Sequence, residues 1–288
     1  MLARGCGKTT VTEALLLWLL LYGKRKFVVI VSANARSSSN ILRDIWRVIQ
    51  DSDTPIAQDF PEVCLPYSLV GGATRRRQLF NGVSTDLQHT STDLVFPRLK
   101  NEDGKGEYPT SGSVLTVRGI SSGIRGLKRN ALRPDCVLLD DLQTSATASN
   151  PEQVDKLFQL LNADIMSLSS KGKIGVLCCA TPICDDDLTF KLKKDVNWRT
   201  IEFPYIIKFP DDCEKGEKSL WSEYFKLYDE ESIEHRKHTD SLEFYKKHFD
   251  EMNKGAELFS DRFSKKDGHI SGLQAIMERR HLVGEKAF

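Results

Sequence analysis

Residues 3–10 read ARGCGKTT and precede a strongly apolar stretch that is predicted to be a helix. Glycines let successive backbone N–H groups turn toward a triphosphate, and a helix N-terminus adds a partial positive charge. Lys8 is then expected to reach the β- and γ-phosphates, and Thr9 to place its hydroxyl on Mg²⁺. Short GKT patterns also arise by chance, so the context must support this interpretation. The predicted nucleotide-binding residues are Arg4, Gly5, Cys6, Gly7, Lys8, Thr9 and Thr10.

Apolar periodicity beyond the loop predicts alternating helices and strands. Helices are predicted at residues 9–22, 37–50 and 151–168. Short apolar runs, typical of buried parallel strands, occur at residues 27–32, 113–117, 136–139 and 173–180. This alternation predicts an α/β fold with a doubly wound, mostly parallel sheet. Residues 51–112 are polar and interrupted by proline and glycine, so they are predicted to be an insertion with weak structure of its own.

A pair of carboxylates ends one of the predicted strands. Residues 136–141 read CVLLDD, and acids at the carboxyl edge of a parallel sheet lie beside a phosphate loop. Asp140 is predicted to hold Mg²⁺ through a water molecule, and Asp141 to orient and deprotonate the attacking water. Most such ATPases carry the longer glutamate at the second position, so Gln143 is an alternative for positioning the water. A solvated Asp-Asp turn is the non-catalytic alternative. With the phosphate loop, the pair predicts a P-loop NTPase of the RecA/ASCE-like type.

The bulk composition excludes several other kinds of protein. The chain has 41 Lys and Arg against 40 Asp and Glu, so its net charge indicates no overall affinity for nucleic acid or membranes. The longest apolar run, residues 14–22, is far shorter than the roughly 20 residues that cross a bilayer. The seven cysteines form no CxxC pair and are typical of reduced cytosolic thiols. His235 and His238 are predicted to lie on a solvated helix face and not to bind a metal.

Several longer stretches resemble the large terminase subunit of tailed bacteriophages, the ATPase that packages viral DNA. They are ARGCGKT at residues 3–9, GIRGLKRNALRPDCVLLDDLQ at 123–143, CCATPI at 178–183 and FPYIIKFPDDCEKGEKSLWSEYF at 203–225. The resemblance extends to about residue 288. Its most specific part is the tight order of GIRG, RPD and LLDD, which few other P-loop families show.

The resemblance implies roles for individual residues. Arg4 matches the arginine that senses the γ-phosphate in this family. Thr181, in the sequence Ala-Thr-Pro, matches the hydroxyl residue that couples hydrolysis to movement of the adjoining subdomain. Arg125 and Arg129 lie in the loop from which such motors present an arginine finger to a neighbouring subunit. A surface arginine, or one that contacts a phosphate backbone, is the alternative interpretation of both.

The same resemblance implies the cofactors, partners and place of action. ATP and Mg²⁺ are the expected cofactors. The expected partners are double-stranded DNA, the portal protein, the small terminase subunit and further copies of this chain in a ring. The expected location is the cytoplasm of the host bacterium, without membrane attachment.

Two domains are expected, an ATPase core at residues 1–203 and a helical linker subdomain at residues 204–288. A P-loop normally follows a central strand, yet only Met1 and Leu2 precede this one, and Leu2 stands where the full motif has glycine. The sequence therefore predicts an N-terminally truncated core that lacks its first strand and is unstable alone. The family's nuclease domain would begin after residue 288, so nuclease activity is not expected.

Two other functions remain open from the sequence. A superfamily 2 helicase would need a second RecA-like domain, for which residues 204–288 are too short and too helical. A degenerate prophage remnant without catalysis is favoured by the missing strand and by aspartate at position 141.

Overall fold

The fold is known from a computed structural model that describes residues 7–70, 79–80, 82–101, 103–129, 131–165, 167–168, 174–234, 237–261 and 263–284. These residues form two compact units. Residues 7–182 with 186–199 make up the larger, sheet-containing unit, and residues 183–185 with those from Thr200 onward make up the helical unit. Within the described ranges, none of the helices combines the length and the apolarity that crossing a bilayer requires.

The larger unit is built on a six-stranded sheet. Its strands are β1 Phe27–Ser32, β4 Gln88–His89, β5 Asp93–Val95, β6 Val114–Gly119, β7 Cys136–Asp140 and β8 Gly175–Cys179. The strands β2 Leu79–Phe80 and β3 Val83–Ser84 form a separate two-stranded hairpin. The strand order is β4-β5-β6-β1-β7-β8. The pairs β6–β1, β1–β7 and β7–β8 are parallel, whereas β4–β5 and β5–β6 are antiparallel. The predicted α/β fold with a mostly parallel sheet is confirmed.

Helices cover both faces of this sheet. They are α1 Lys8–Leu21, α2 Ala35–Gln50, α3 Pro55–Asp59, α4 Pro61–Val70, α5 Ser145–Ala148, α6 Pro151–Leu160 and α7 Leu188–Lys194. Successive side chains of a strand point to opposite faces, and in β1 Val28 and Ile30 join one core with α1, α2 and α4. Val29 and Val31 join the other core, with α6 and α7. The sheet is therefore doubly wound, as the sequence predicts.

The prediction of weak structure for residues 51–112 is wrong. This stretch contributes α3, α4 and two strands of the main sheet, β4 and β5. Tyr67 of α4 and Phe96 after β5 are fully buried in the core beneath α2, and the Tyr67 hydroxyl donates to the carbonyl of Val95. The strands have only two and three residues, too few for an alternating apolar pattern to be recognisable. The basic cluster at residues 75–77 lies outside the described residues.

The strand β8 stands at the end of the sheet among the described strands. Its residues are only partly buried, and Leu177 is 39% exposed although it is apolar. The helix α1 packs beside it, since the Thr12 hydroxyl donates to Cys179 Sγ at 3.3 Å. Trp18 and Tyr22 on the outer face of α1 are also exposed. Among the described residues, this end of the sheet therefore has exposed apolar side chains.

The helical unit has its own aromatic core. Its elements are β9 Ile206–Lys208, α8 Leu220–Ile233, α9 Thr239–Lys247, α10 Phe249–Asn253, β10 Glu257–Leu258 and α11 Gly272–Val283, with 3₁₀ turns at Asp211–Lys218 and Lys265–Asp267. Trp221, Tyr224 and Tyr245 pack at its centre, with ring centroids 5.5–5.8 Å apart. The Trp221 indole donates to the carbonyl of Met252 at 3.0 Å, so this buried polar group is satisfied.

Candidate functional site

The N-terminus of α1 has no side-chain cap among the described residues. Gly7 precedes the helix with φ of 74°, in the left-handed region where glycine is favoured, and no side chain caps the helix there. The first N–H groups of a helix have no partner within it, and here none is taken by a capping residue. Thr9 and Thr10 of the first turn are exposed. The residues Gly7 to Thr10 therefore form a helix start without a side-chain cap, a feature that favours anions, while Arg4, Gly5 and Cys6 lie outside the described residues.

Three distant segments meet next to this helix end. The Lys8 ammonium forms an ion pair with Asp141, which directly follows β7. It also donates a hydrogen bond to Thr181 Oγ1 at 3.0 Å, in the segment that follows β8. The backbone N–H of Thr181 in turn donates to Asp141 Oδ1 at 3.2 Å. The predicted phosphate loop, acidic pair and Ala-Thr-Pro segment thus come together at the carboxyl edge of the parallel strands.

Asp140, at the end of β7, is a buried carboxylate with unmet hydrogen-bonding capacity. The residue is 8% exposed, and its Oδ1 has no hydrogen-bond partner within the described part of the chain. Burial raises the pKa of Asp140, the negative charge of Asp141 raises it further, and the nearby Lys8 opposes both effects. A buried unsatisfied polar atom destabilises a fold by roughly 1–3 kcal/mol. A cation at this oxygen would remove that penalty.

Ser32 is a neighbour of Asp140 that the sequence analysis missed. It ends β1, lies opposite Asp140 in the strand pairing, and is 1% exposed. Its Oγ also lacks a partner among the described residues. Oxygen ligands are what Mg²⁺ prefers, so Asp140, with Thr9 at the helix end, fits the predicted metal role. Only the tertiary pairing of β1 with β7 identifies Ser32, because nothing in its local sequence distinguishes it.

Glu13 is a second acidic group near the site that the sequence did not indicate. It lies on α1, and burial raises its pKa together with the negative charges of Asp44 and Asp140. A carboxylate whose pKa is raised by neighbouring acids reports a local excess of negative charge. The carboxyl edge of the sheet therefore favours a bound cation on electrostatic grounds too.

Asp141 has an unusual backbone conformation. Its φ is 40°, in the left-handed region that aspartate tolerates better than most residues, and its N–H donates to the carbonyl of Cys179 at 3.1 Å. Its side chain is 49% exposed, so water can reach it. The alternative residue Gln143 is already engaged, because its amide oxygen accepts from the N–H of Leu188 at 2.8 Å. Asp141 is thus accessible to water, whereas Gln143 has its oxygen engaged and its buried Nε2 without a partner among the described residues.

The two loop arginines lie in different places. Arg125 is 77% exposed and donates through Nε to Asp164 at 2.6 Å, and this hydrogen bond raises its pKa. Arg129 donates to the side-chain oxygen of Gln88 and lines a cavity of about 780 Å³ together with Lys26. Lys26 precedes β1, so this cavity lies at the amino edge of the sheet, opposite Lys8. Neither arginine contacts the Lys8 site of its own chain within the described residues.

Comparison with protein-family models and with curated proteins finds no match. Among solved structures, the chain is similar to the Thermus phage P74-26 large terminase ATPase domain, with 16% identity, coverage of 87% of this chain and 86% of that chain, and a TM-score of 0.39. A mutant of the same domain gives 15% identity, coverage of 85% and 84%, and a TM-score of 0.37. Both of these solved structures are ATPase domains of a phage large terminase.

Proposed function

We propose that the chain binds ATP with Mg²⁺ at the carboxyl edge of its sheet and hydrolyses the γ-phosphate. The convergence of Lys8, Asp141 and Thr181 beside the uncapped N-terminus of α1 is the observation that carries this proposal. The buried, unpartnered oxygen of Asp140 lies at the same edge and supports a metal role. Arg4, Gly5, Cys6 and Gly7 are proposed to complete the phosphate loop, and Thr9 and Asp140 to hold the metal.

The chain's own residues account for the main steps. Lys8 is paired with Asp141, and contact of Lys8 with phosphate oxygens competes with that pair. Asp141 then becomes free to accept a proton from a water molecule, which its exposure allows. Mg²⁺, when bound, neutralises the charge that develops on the transferred phosphoryl group. Arg4 is proposed to contact the γ-phosphate, and Arg125 of a neighbouring subunit to stabilise the same charge.

Thr181 is proposed to couple hydrolysis to movement. It contacts Lys8 through its hydroxyl and Asp141 through its N–H, so a change of partner at Lys8 alters both contacts. The following residues, 183–185, belong to the helical unit. A displacement of Thr181 is therefore transmitted along the chain into that unit.

The work done by this motor is proposed to be translocation of double-stranded DNA into a procapsid. The sequence resemblance to large terminase subunits supports this finer assignment, above all the tight order of GIRG, RPD and LLDD. It implies a ring of copies on a portal, recruitment of DNA by a small terminase subunit, and action in the host cytoplasm. A helicase-like ATPase is the weaker alternative.

The purified chain should hydrolyse ATP in the presence of Mg²⁺, and Lys8→Ala should reduce the rate by about 100-fold or more, because the phosphate contact is lost. Lys24→Ala is the matched control, since Lys24 is exposed and precedes β1. Equal activity of the Lys8 variant and the parent would refute the assignment of the site. Absence of hydrolysis in the parent would favour the alternative of a degenerate prophage remnant without catalysis. The position of β8 at the end of the sheet, among the described strands, also favours that alternative. Stimulation of the parent by duplex DNA tests the motor assignment separately.

A further inference from the structure

The helical unit contains a cavity of about 780 Å³ that the proposed ATPase does not use. Its walls come from α8, from the start of α9, from residues 266–269 and from α11. All of these elements belong to the same compact unit. The volume lies in the range of about 300–1,000 Å³ that is typical of sites for small organic ligands.

The rim of this cavity is basic. Lys237, Lys266 and Arg279 line it. Neither lysine has a carboxylate within ion-pair distance among the described residues, and the Arg279 guanidinium stacks over the Tyr205 ring at 5.4 Å instead of pairing with an acid. Unpaired cations around a concave surface attract anions, and arginine and lysine together are well suited to phosphate oxygens.

The acid inside the cavity already accepts hydrogen bonds from three side chains. Glu278 accepts hydrogen bonds from the Tyr224 hydroxyl, from Gln274 Nε2 at 2.9 Å and from His269 Nε2 at 2.9 Å. Asp267 is the other lining carboxylate, and it is exposed on the 3₁₀ turn. Three cations and two carboxylates line the cavity, which leaves a net charge of +1, and the oxygens of Glu278 are already occupied by donors, so the cavity favours an anion.

Two histidines add unused polar capacity to the wall. His269 uses Nε2 on Glu278, and its buried Nδ1 has no partner in the described residues. The buried Nδ1 of His238 likewise has no hydrogen-bond partner in the described residues, although it lies 3.8 Å from Glu231 Oε2, within ion-pair distance. His238 is the N-cap residue of α9, is 39% exposed and stacks on Tyr228 with ring centroids 3.9 Å apart, while His235 lies outside the described residues.

The remaining wall is apolar. Leu242, Ala275, Leu282 and Val283 line the cavity beside the stacked rings of Tyr228 and His238. Sites for organic ligands combine mostly apolar and aromatic walls with a few charged groups that fix the orientation. The ligand that matches this lining has an anionic end and an aromatic or aliphatic body.

We propose that this cavity binds a small phosphate-bearing organic ligand, with its phosphate at Lys237, Lys266 and Arg279 and its apolar part against the Tyr228 face. The site is separate from the ATP site in both sequence and chemistry. Its occupation does not depend on hydrolysis at Lys8.

Isothermal titration calorimetry with AMP, adenosine and inorganic phosphate tests the proposal. The full chain should carry Lys8→Ala, so that the phosphate loop does not contribute. AMP should bind. Adenosine and inorganic phosphate should each bind more weakly than AMP, because adenosine lacks the phosphate and inorganic phosphate lacks the organic part. The double substitution Lys266→Gln with Arg279→Gln should weaken AMP binding about tenfold or more. Lys247→Gln, at an exposed lysine of α9 outside the cavity, should leave it unchanged.

Histidine ring-proton NMR signals provide a second readout. Addition of AMP should shift the signals of His238 and His269, identified by His238→Asn and His269→Asn. Undetectable AMP binding, or equal binding by the double variant and the parent, would overturn the proposal. A third outcome would also overturn it: the parent does not bind AMP, and the double variant has lower affinity for duplex DNA than the parent. That result would identify the basic rim as a DNA contact. If the chain with native Lys8 does not hydrolyse ATP, the proposed ATPase function fails, but the outcome of the AMP-binding test is unchanged.

Discussion

Asp140 in the sheet unit and Glu231 in the helical unit are both buried carboxylates, but their surroundings differ. Asp140 is 8% exposed and has an oxygen without a partner in the described residues. Glu231 is 1% exposed, and it accepts from the N–H of Asp240 at 2.8 Å and from both the N–H and the hydroxyl of Ser241 at 3.2 and 2.6 Å. Glu231 thereby caps the N-terminus of α9.

The two acids respond differently to burial. Burial acts to raise the pKa of Glu231, but the hydrogen bonds from Ser241 and from the backbone of α9 outweigh it and lower the pKa. In Asp140 burial prevails, and the pKa is raised. A buried carboxylate that the protein satisfies is a structural element, whereas one that the protein leaves unsatisfied is suited to bind something else.

The largest expected effect is on catalysis at Asp140. Asp140→Asn should reduce Mg²⁺-dependent ATP hydrolysis by about 100-fold or more, because a neutral amide holds a metal ion poorly. Steady-state phosphate release measures it. Asp155→Asn, at an exposed aspartate paired with Lys191, is the control and should keep the parent rate. Full activity of Asp140→Asn would contradict the inference that the unsatisfied carboxylate of Asp140 binds the metal ion.

The next largest effect is on stability at Glu231. Glu231→Ala should lower the free energy of unfolding by about 2–3 kcal/mol, since it leaves N–H groups of α9 and the buried Ser241 hydroxyl without an acceptor. Urea unfolding monitored by tryptophan fluorescence measures the change. Glu230→Ala, one residue earlier and exposed, should have little effect. Equal losses in the two variants would show that the cap contributes nothing.

The pH dependence of stability should have opposite signs at the two acids. The folded-state pKa of Glu231 lies below its ordinary value of 4.5, so its contribution is complete above pH 4.5 and is lost as the pH falls through the folded-state pKa. The advantage of the parent over Glu231→Gln should therefore shrink in acid. Urea unfolding of both proteins at pH 7 and at about pH 3 measures it. A constant difference between them would contradict the prediction.

Asp140 should show the reverse trend with a smaller amplitude. Its folded-state pKa lies above the ordinary value of 3.8, so its protonated form favours the fold, and this contribution is lost as the pH rises through the raised pKa. Without metal, Asp140→Asn should be more stable than the parent at pH 7 by about 1 kcal/mol and no more stable at low pH. A destabilised variant at pH 7 would mean that the protein satisfies Asp140 after all.

The smallest effect is expected at a third carboxylate, Asp164. It pairs with Arg125, whose side chain is 77% exposed although that of Asp164 is only 16% exposed, and solvent around the guanidinium screens the pair. Asp164→Asn should leave the urea midpoint unchanged within experimental error. A shift as large as that of Glu231→Ala would show that the Asp164 ion pair stabilises the fold as much as the Glu231 cap does.

The candidate site was predictable from sequence only in part. Lys8, Asp140 and Asp141 were identified because a glycine-rich loop before a helix and a strand ending in acids are local patterns. The contacts of Lys8 could not be predicted in this way. Its ion pair with Asp141 joins residues 133 positions apart, and its hydrogen bond to Thr181 joins residues 173 positions apart. Ser32 was missed for the same reason.

The sequence by itself determined which segments form the sheet. The run Phe27–Ser32 is a strand over the predicted residues, because six buried side chains in an apolar stretch can be satisfied only between two covered faces. The short strands β4 and β5 lie in a polar stretch, and only pairing with β6 makes them strands. Strand order, the partners of Asp140 and Glu231, and the cavity in the helical unit were likewise decided by tertiary structure. Apolar patterns act through neighbours in the chain, whereas burial, charge and hydrogen-bond satisfaction depend on residues that only folding brings together.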